Sequence, residues 1–346
     1  MCMSTKLKVG VVGTGKHASY HVKTWNTLKN VTIIGIHGSN AERLNYFAKR
    51  HGIACYQDYG DLVQRADIID IVSQNHTHSD YAFMALKEAS GIIIEKPLDI
   101  QYEKAQRLYR AAKSSGTVCS VVSQFRFHES FKYLKRLLDE GVLGDVEVCK
   151  ISIVWPRDEQ YYSNNQGWRA DPSLAGGGVL IHQCIHFIDL ACWFFGNASS
   201  VCGRENLKDG KRKCEVERSF WGEIEFVNGV ICQIYFSTNP SVRERTIVEI
   251  SGSKGMAMIM GNWLFIDTGS GIVKSMISNI KCNLLLQMKK RPNLLKYQLE
   301  DFVYSVLAKT TPRVSLKDGL IALKLVMSLY HSAQSGRRLT LQDNIL

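Results

Sequence analysis

Two histidines, His182 and His186, stand four residues apart directly after the glycine run Gly176–Gly178. On an α-helix, residues i and i+4 lie on the same face, one turn apart. This spacing suits three roles: ligation of a metal ion with Asp189 as a third ligand, contact with a substrate hydroxyl, or the filling of a polar gap in a core. The stretch alone leaves all three roles open, and the rest of the chain narrows the choice.

Glycines near the N-terminus match a phosphate-binding loop. Residues 13–18 read GTGKHA, which fits the pattern G-x-G-x-x-A directly after an apolar strand. Gly13 permits a tight turn, Gly15 lets a pyrophosphate approach the backbone, and Ala18 lets the following helix lie close to the sheet. The N-terminus of that helix offers N–H groups to phosphates. The residues that we predict to contact a dinucleotide here are Gly13, Gly15, Lys16, His17 and Ala18.

The end of the second predicted strand bears on the choice of coenzyme. NAD sites usually place an Asp or Glu there to bind the ribose hydroxyls, but this chain reads IHGSNAER at residues 36–43. Because no acid ends the strand, a 2′-phosphate is tolerated, and Ser39 and Arg43 are candidates to contact it. Glu42 opposes this arrangement, so we favour NADP and keep NAD open.

A lysine follows another predicted strand, at the sheet edge where open α/β sheets bind ligands. The apolar run 91–94 is followed by Glu95, Lys96 and Pro97. A lysine in this place can lie beside the nicotinamide and hydrogen-bond a substrate hydroxyl or carbonyl. The alternative is a solvent-exposed lysine that ends a strand.

The pattern of apolar and polar residues divides the chain into two regions. Up to about residue 125, short apolar strands alternate with helical patterns, which is typical of a parallel sheet covered by helices on both faces. Later strands alternate apolar and polar residues, and Asn228-Gly229 marks a hairpin between two of them. We predict a doubly wound α/β Rossmann domain at residues 1–125. Residues 126–346 are predicted to form an α+β domain with a large, mostly antiparallel open sheet, whose C-terminal helix is a candidate to pack back on the first domain.

Composition and charge indicate a globular protein of a reducing compartment. The 346 residues carry a net charge of +11, partly in the clusters 208–213 and 281–296, and we favour a solvated basic surface over a nucleic-acid or membrane site. The ten cysteines form no C-x-x-C pair, the N-terminus lacks a signal-peptide core, and we find no apolar run as long as a bilayer span. We expect a cytoplasmic protein with no nucleic-acid partner and no membrane contact.

Taken together, the motifs resemble those of the Gfo/Idh/MocA family, named after glucose–fructose oxidoreductase and inositol dehydrogenase. The resemblance covers nearly the whole chain. The SQNHTH segment is similar to the family's T-P-N-x-x-H, and EKP is similar to its signature after a strand. The segments that carry the resemblance, besides the glycine run and its histidine, are GTGKHA at 13–18, SQNHTH at 73–78, EKP at 95–97, QFRF at 124–127 and GVLGD at 141–145.

This resemblance implies an activity and a set of residues. The expected reaction is hydride transfer between a sugar or cyclitol carbon and nicotinamide, with Lys96 and His186 as the catalytic pair. One of the two takes the hydroxyl proton and the other stabilises the developing carbonyl oxygen, and the resemblance leaves open which does which. Asn75, His78 and Glu95 would help to line the nicotinamide end. The resemblance also implies a homodimer or homotetramer formed through the open face of the C-terminal sheet.

The stretch 161–196 resembles one subgroup in particular. Its form W-R-x-D…G-G-G-x-L-x-x-Q-x-I-H-x-I-D is similar to bacterial UDP-N-acetyl-2-amino-2-deoxyglucuronate 3-dehydrogenases of surface-polysaccharide pathways, which implies a nucleotide-linked sugar as substrate. Arg126 and Arg169 are candidate anchors, because a guanidinium pairs bidentately with phosphate or carboxylate. The other candidate substrate-binding residues, for which ordinary packing is the alternative, are Tyr162, Trp168 and Gln183.

His182 departs from the pattern, because relatives carry Asp or Asn at this position. A carboxylate four residues before the catalytic histidine would orient the ring of His186, whereas a neutral His182 imidazole orients that ring more weakly. A protonated His182 would lower the pKa of His186. We therefore count His182 with Lys96 and His186 among the catalytic residues, and expect a different substrate or reduced activity.

Other functions stay open. An inositol or free-aldose dehydrogenase would use the same catalytic pair. A coenzyme-binding sensor or scaffold with weak turnover would not need to retain Lys96 and His186. A metal-dependent hydrolase built on His182, His186 and Asp189 would leave the dinucleotide loop without a purpose, and we expect no metal.

Overall fold

The computed structural model describes four segments of the chain, residues 6–206, 215–261, 263–269 and 292–341. The side chains of residues 165 and 166 are not described. The basic cluster 208–213, together with residues 281–291 of the second cluster, lies outside the described residues.

The chain divides into two compact units. Unit 1 comprises Met1–Gln124 and Asn293–Leu320, and unit 2 comprises Phe125–Pro292 and Ile321–Leu346. We predicted a second domain at residues 126–346, with its C-terminal helix a candidate to pack back on the first domain. In the structure, Asn293–Leu320 belongs to unit 1.

Unit 1 is built on a parallel sheet of six strands in the order β3-β2-β1-β4-β5-β6. The strand order reverses between β1 and β4, which is where doubly wound sheets bind ligands at their carboxyl ends. The strands are β1 Leu7–Val12, β2 Val31–His37, β3 Cys55–Tyr56, β4 Ile68–Ile71, β5 Gly91–Ile94 and β6 Val118–Val121. The helices between them are α1 Lys16–Trp25, α2 Ala41–His51, α3 Tyr59–Arg65, α4 His78–Ala85 and α5 Tyr102–Ser115.

Local signals set these elements. The four residues of β4 and the four of β5 are all buried, as expected for strands with helices on both faces. Asn40 caps α2 by accepting the Arg43 N–H, and Gly52 ends α2 in the left-handed conformation. The predicted Rossmann-type fold class is confirmed.

Unit 2 contains an eight-stranded sheet in the order β13-β12-β11-β7-β10-β9-β8-β14. Its pairs are antiparallel except for β7 and β10, so the predicted mostly antiparallel sheet is also confirmed. The strands are β7 Val146–Val154, β8 Ala198–Asn206, β9 Ser219–Phe226, β10 Ile231–Ser237, β11 Arg245–Gly252, β12 Gly255–Met260, β13 Trp263–Asp267 and β14 Leu339–Thr340. The helices are α6 Glu129–Asp139, α7 Glu159–Ser163, α8 Pro172–Ala175 and α9 Ile185–Phe195.

Two further helices are described after β13, α10 (Leu294–Ala308) and α11 (Leu316–Ser335). Helix α10 follows the large sheet in sequence but is packed in unit 1. Its buried Gln298 donates to Val121 O at 2.7 Å and accepts from Ser123 N at 3.0 Å. The apolar residues of its buried face recur at spacings of four, three and four, and are Leu295, Leu299, Phe302 and Val306. Such a face needs a core, which explains why this segment returns to unit 1.

The segment Pro172–Phe195 corrects one expectation. By length and composition it is apolar enough to cross a membrane, contrary to our reading of the sequence. However, 83% of the 18-residue window that meets this test is buried inside the protein. Core helices of globular proteins pass the same test.

Removing a buried ring tests the assignment of α10. Phe302→Ala is expected to lower the free energy of unfolding by about 3–5 kcal/mol, because it leaves a cavity in the unit 1 core. Tyr304→Ala is the control, since this side chain on the same helix is 68% exposed, and a change within about 0.5 kcal/mol is expected. Both are measured by urea unfolding. Equal effects of the two substitutions would contradict the assignment.

Candidate active site

The glycine loop after β1 has two glycines with different requirements. Gly13 has φ +118°, and a Cβ there would lie 2.4 Å from Val72 O, so the backbone itself demands glycine. A Cβ on Gly15 would meet no atom of the protein within 4 Å. Packing within the protein therefore gives no reason for glycine at position 15, whereas the close approach of a phosphate does.

Helix α1 begins directly after this loop. Its N-cap is Gly15, which has no side chain to cap the first turn. Lys16 and His17 are exposed, and Ala18 is fully buried beneath the helix. The first turn carries no acid. An exposed helix N-terminus with a positive dipole end and a lysine fits the diphosphate of a dinucleotide.

The end of β2 has a histidine where NAD sites usually have an acid. The Nδ1 atom of His37 lies 3.0 Å from Tyr56 O, and its ring packs against Tyr59 and Tyr81. The His37 side chain thus makes its contacts with residues of unit 1. Ser39 and Arg43, the predicted contacts of a 2′-phosphate, are both exposed at the start of α2.

The next two strands bring the other predicted coenzyme residues to the same sheet edge. Asn75 follows β4 and is 5% exposed, while Glu95 and Lys96 follow β5 directly and are half-buried. The Lys96–Pro97 bond is cis. His78 is buried, with Nδ1 2.7 Å from Pro97 O and Nε2 3.2 Å from Ser73 O, and burial lowers its pKa. His78 therefore braces the turns after β4 and β5.

An ion cluster that we did not predict lies beneath this edge. His21 of α1 is fully buried between two carboxylates, with Nδ1 2.9 Å from Asp70 Oδ2 and Nε2 3.0 Å from Glu95 Oε1. Trp25 Nε1 also donates to Asp70 Oδ2, at 2.7 Å. The second oxygen of Glu95 accepts the Lys96 N–H at 3.0 Å. The cluster thus joins α1, β4 and the turn after β5.

The short distances within the cluster set the pKa values of His21 and Glu95. Burial alone would lower the pKa of His21, but the charge of Asp70 and the hydrogen bonds to Asp70 and Glu95 raise it to about 10. Burial alone would raise the pKa of Glu95, yet the hydrogen bond and charge of His21 hold it well below its usual value. At neutral pH, the imidazolium and the Glu95 carboxylate are therefore both ionised.

In unit 2, the last two glycines of the run pack closely against two buried residues. A Cβ on Gly177 would lie 2.3 Å from Tyr330 Oη, and one on Gly178 would lie 1.9 Å from Glu217 O. The Glu217 carboxylate accepts from Gly178 N at 2.6 Å, from Leu180 N at 2.9 Å and from Tyr330 Oη at 2.7 Å. The residues that approach the backbone closely at this helix start are Glu217 and Tyr330. Burial raises the pKa of Glu217 to about 7, against the effect of its three donors.

The two histidines do not share one regular α-helix. His182 lies in a π-helix, Leu180–Cys184, and His186 lies in α9 directly after it. Both are less than one-tenth exposed. The His182 ring packs edge-on to Trp168, with centroids 5.4 Å apart, and the His186 ring stands perpendicular to Phe125 at 5.2 Å. Our assumption of α-helical spacing was wrong, because a π-turn is wider.

Arg126 and Asp189 form a buried pair in unit 2. The Nε and Nη2 atoms of Arg126 donate to the two Asp189 oxygens at 2.8 and 2.6 Å. This bidentate contact occupies one edge of the guanidinium, so any substrate contact has to use the other. It also engages Asp189, the third ligand of the metal hypothesis. Among the described residues, no group of three or more His, Cys, Asp or Glu side chains is placed to hold a metal ion.

The remaining predicted substrate residues have different surroundings. Tyr162 is buried, its hydroxyl lies 2.8 Å from Thr238 Oγ1, and Arg218 covers its ring. Its contacts are those of a packing residue. Gln183 is also buried, and the described residues supply no donor to its Oε1. Arg169 lies over the rings of Trp168 and Tyr161, at 4.7 and 5.0 Å from the ring centroids.

The glycine loop at the strand-order reversal, with polar residues after β4 and β5, defines a dinucleotide-binding oxidoreductase. A model of the oxidoreductase family with an NAD-binding Rossmann fold matches residues 7–123, and a model of the Gfo/Idh/MocA C-terminal domain matches residues 131–258. The chain belongs to the Gfo/Idh/MocA family. It is an NAD-dependent dehydrogenase.

Similar proteins extend over the full length. D-glucoside 3-dehydrogenase of Escherichia coli (strain K12) is 27% identical, covering 98% of each chain. Myo-inositol 2-dehydrogenase of Thermotoga maritima is 22% identical, covering 98% of this chain and 100% of the relative. The structure of the WlbA dehydrogenase of Bordetella pertussis, solved with NADH and UDP-GlcNAcA, has the same fold, with a TM-score of 0.87 at 20% identity over 98% of each chain.

The two loop glycines give a matched test of the dinucleotide site. Gly15→Ala is expected to leave the thermal unfolding midpoint within about 2 °C and to weaken NAD binding at least about tenfold, because its methyl group points into open space that a phosphate would use. Gly13→Ala is expected to destabilise the protein, since the methyl group collides with Val72 O. Calorimetric titration and thermal melts measure the two effects. Unchanged NAD affinity in Gly15→Ala would contradict the assignment.

Proposed function

We propose that this protein oxidises a hydroxyl-bearing carbon of a nucleotide-linked sugar, in surface-polysaccharide biosynthesis. The observation that carries the proposal is that one edge of the unit 1 sheet bears both the open Gly15 loop after β1 and the Glu95–Lys96 turn after β5. This edge is where a doubly wound sheet holds a dinucleotide and presents it to a substrate. The names of relatives that act on glucosides and inositol support a polyhydroxylated substrate.

The proposed reaction needs a proton acceptor and a group that stabilises the new carbonyl oxygen. When bound, the nicotinamide supplies the hydride acceptor. Lys96 and His186 are the two residues that we propose to touch the reacting hydroxyl. His186 is suited to this role because the perpendicular Phe125 ring restricts its orientation. His182, confined by Trp168, is proposed to tune substrate choice.

Two side chains in unit 2 favour a phosphate-bearing sugar as the substrate. The Arg169 guanidinium is stacked on two aromatic rings, and a stacked guanidinium keeps its N–H donors at its edge for an anion. The buried Gln183 Oε1 supports a substrate rich in hydroxyl donors, because a buried acceptor without a partner is costly. A nucleotide-linked sugar offers both a diphosphate and hydroxyl groups.

The coenzyme choice follows from the end of β2. Ser39 and Arg43 are exposed beside a strand end that carries His37 in place of an acid. A 2′-phosphate would meet no carboxylate at that strand end, so we propose that NADP is accepted as well as NAD.

A free sugar or cyclitol is the second candidate substrate. The observation in its favour is the bidentate Arg126–Asp189 pair, which engages one of the two arginines predicted to anchor a phosphate. Fewer available guanidinium donors would suit a substrate without a diphosphate.

We also propose a cytoplasmic homo-oligomer formed through the large sheet. On β9, Phe220, Ile224 and Phe226 are buried while Trp221 on the opposite face is 40% exposed. Met260 and Trp263, paired across β12 and β13, are 45% and 47% exposed. Exposed aromatic and methionine side chains of this kind are enriched at protein interfaces.

A spectrophotometric screen tests the proposal. The purified protein is incubated with NAD or NADP and a panel of UDP-sugars, inositols and free aldoses, and the reduced coenzyme is followed by its absorbance. Turnover of at least one UDP-sugar is expected. Turnover of a cyclitol or free aldose alone would contradict the nucleotide-sugar assignment, and turnover with NAD alone would contradict the use of NADP.

Substitution of Lys96 tests its role. Lys96→Ala is expected to lower kcat by a factor of about 10²–10⁴, which is typical for the loss of a proton-transfer group, and to leave NAD binding nearly unchanged. Lys113→Ala is the matched control, because Lys113 is exposed at the end of α5. Full activity of the Lys96 variant on the substrate found in the screen would rule out its catalytic role.

A further inference from the structure

The helical segment that carries His182 and His186 begins at a set of buried backbone N–H groups. The first hydrogen bond within the segment runs from His182 N to Gly178 O, at 3.0 Å. A helix has no acceptor of its own for the N–H groups before that bond, which here are those of residues 178–181. All four residues are buried, so these groups need acceptors from elsewhere in the protein.

Two residues from distant parts of the chain contact all four N–H groups. The Glu217 carboxylate accepts the Gly178 N–H with one oxygen, at 2.6 Å, and the Leu180 N–H with the other, at 2.9 Å. The backbone oxygen of Glu217 accepts the N–H that lies between these two, at 3.0 Å. Tyr330 Oη lies 3.4 Å from the fourth nitrogen, that of Ile181, and donates to the Glu217 carboxylate at 2.7 Å.

Other helices of this chain are capped by a residue at their own start. Asn40 accepts one N–H of α2 and Asp158 accepts one of α7, in each case from the residue three positions further on. A cap of this kind fixes only the first turn of its own helix. Glu217 instead lies two residues before β9, and Tyr330 belongs to α11. The histidine segment is therefore fixed both to the large sheet and to another helix.

A fixed start matters here because the segment is not a regular α-helix. It begins with the π-helix Leu180–Cys184, and α9 follows at Ile185. A π-turn holds one more residue than an α-turn, which rotates the residues that follow it by about 100° relative to those before it. The π-turn thus decides which way His186 faces, and a regular α-helix from the same start would turn His186 away from Phe125.

We propose that Glu217 and Tyr330 are positioning residues for the reaction. By holding the four N–H groups they keep the π-turn in place, and the π-turn sets the position of the His186 ring. They act through the backbone at the start of the segment, and so also set the position of the His182 ring. This inference rests on the catalytic role that the proposed function gives to His186.

Substitution of the two side chains tests the proposal. Glu217→Gln keeps the shape of the carboxylate but has one acceptor oxygen in place of two, so either the Gly178 or the Leu180 N–H loses its acceptor. Tyr330→Phe keeps the ring and removes the hydroxyl. Glu129→Gln is the control, because Glu129 also lies in the first turn of a unit 2 helix but its side chain is 65% exposed.

Nuclear magnetic resonance of ¹⁵N-histidine-labelled protein reports the surroundings of the histidine rings. Spectra are recorded at about pH 8.5, where a carboxyl group is ionised if burial raises its pKa to about 7, as it does for Glu217. The ring signals are assigned from the spectra of His182→Gln and His186→Gln. We expect these signals to shift in both Glu217→Gln and Tyr330→Phe, and to keep their native positions in Glu129→Gln.

The same variants are compared in turnover of the substrate found in the screen, at a temperature at which each variant is folded. Glu217→Gln is expected to lower kcat on the order of 10²-fold, because a small misplacement of a reacting group has this effect. Tyr330→Phe, which removes fewer hydrogen bonds, is expected to lower kcat about tenfold. The dissociation constant of NAD is expected to stay nearly unchanged, since the glycine loop belongs to unit 1. This combination separates a displaced histidine from a loss of folded protein.

The outcomes separate the inference from the function on which it rests. Native ring signals or a native kcat in folded Glu217→Gln and Tyr330→Phe overturn the positioning role, even if the protein is an active dehydrogenase. Absence of turnover on every substrate of the screen overturns the proposed function, and the ring signals then decide whether the two residues position the histidines. If Glu217→Gln does not fold, Tyr330→Phe decides, because it retains the carboxylate and its two backbone donors.

Discussion

The buried imidazolium of His21 connects the parts of unit 1 on which a coenzyme site depends. It joins the phosphate-binding helix α1 to β4 through Asp70 and to the Glu95–Lys96 turn through Glu95. Removing one partner of such a buried ion pair costs about 3–5 kcal/mol, because the other charge is left unpaired. His21 has a raised pKa, so its stabilising contribution is fully present below its ordinary value of 6.5 and is lost as the pH rises through about 10. Glu95 has a lowered pKa, so its contribution is lost as the pH falls.

In unit 2, a buried carboxylate and a tyrosine hold the backbone near the candidate catalytic residues. The segment that carries His182 and His186 begins with backbone N–H groups that donate hydrogen bonds to the Glu217 carboxylate. The Tyr330 hydroxyl donates to the same carboxylate. Gly177 and Gly178 leave no room for a side chain, because the Tyr330 hydroxyl and the Glu217 backbone carbonyl pack against them. In both units, a carboxylate accepts hydrogen bonds from backbone N–H groups at or near a candidate catalytic residue. Glu95 accepts the Lys96 N–H, and Glu217 accepts those of Gly178 and Leu180, close to His182.

The features that could be predicted from the sequence are those that depend on residues close together in the chain. The glycine loop, the cap at Asn40 and the turn at Asn228-Gly229 each depend on a few neighbouring residues. The Glu217–Tyr330 contact joins residues 113 positions apart, and nothing near either residue signals it. Asp70 did carry a signal that we did not use, since an acid within an apolar strand needs a buried partner. The π-helix around His182 was missed because apolar periodicity does not separate a π-turn from an α-turn.

The charge state of His21 is the central claim, and nuclear magnetic resonance of ¹⁵N-histidine-labelled protein tests it directly. The chain has ten histidines, and the His21 ring is assigned by its absence from the His21→Gln spectrum. The ¹⁵N shifts are expected to show both ring nitrogens protonated at about pH 8, because two carboxylates raise its pKa to about 10. A neutral His21 ring at that pH would contradict the account.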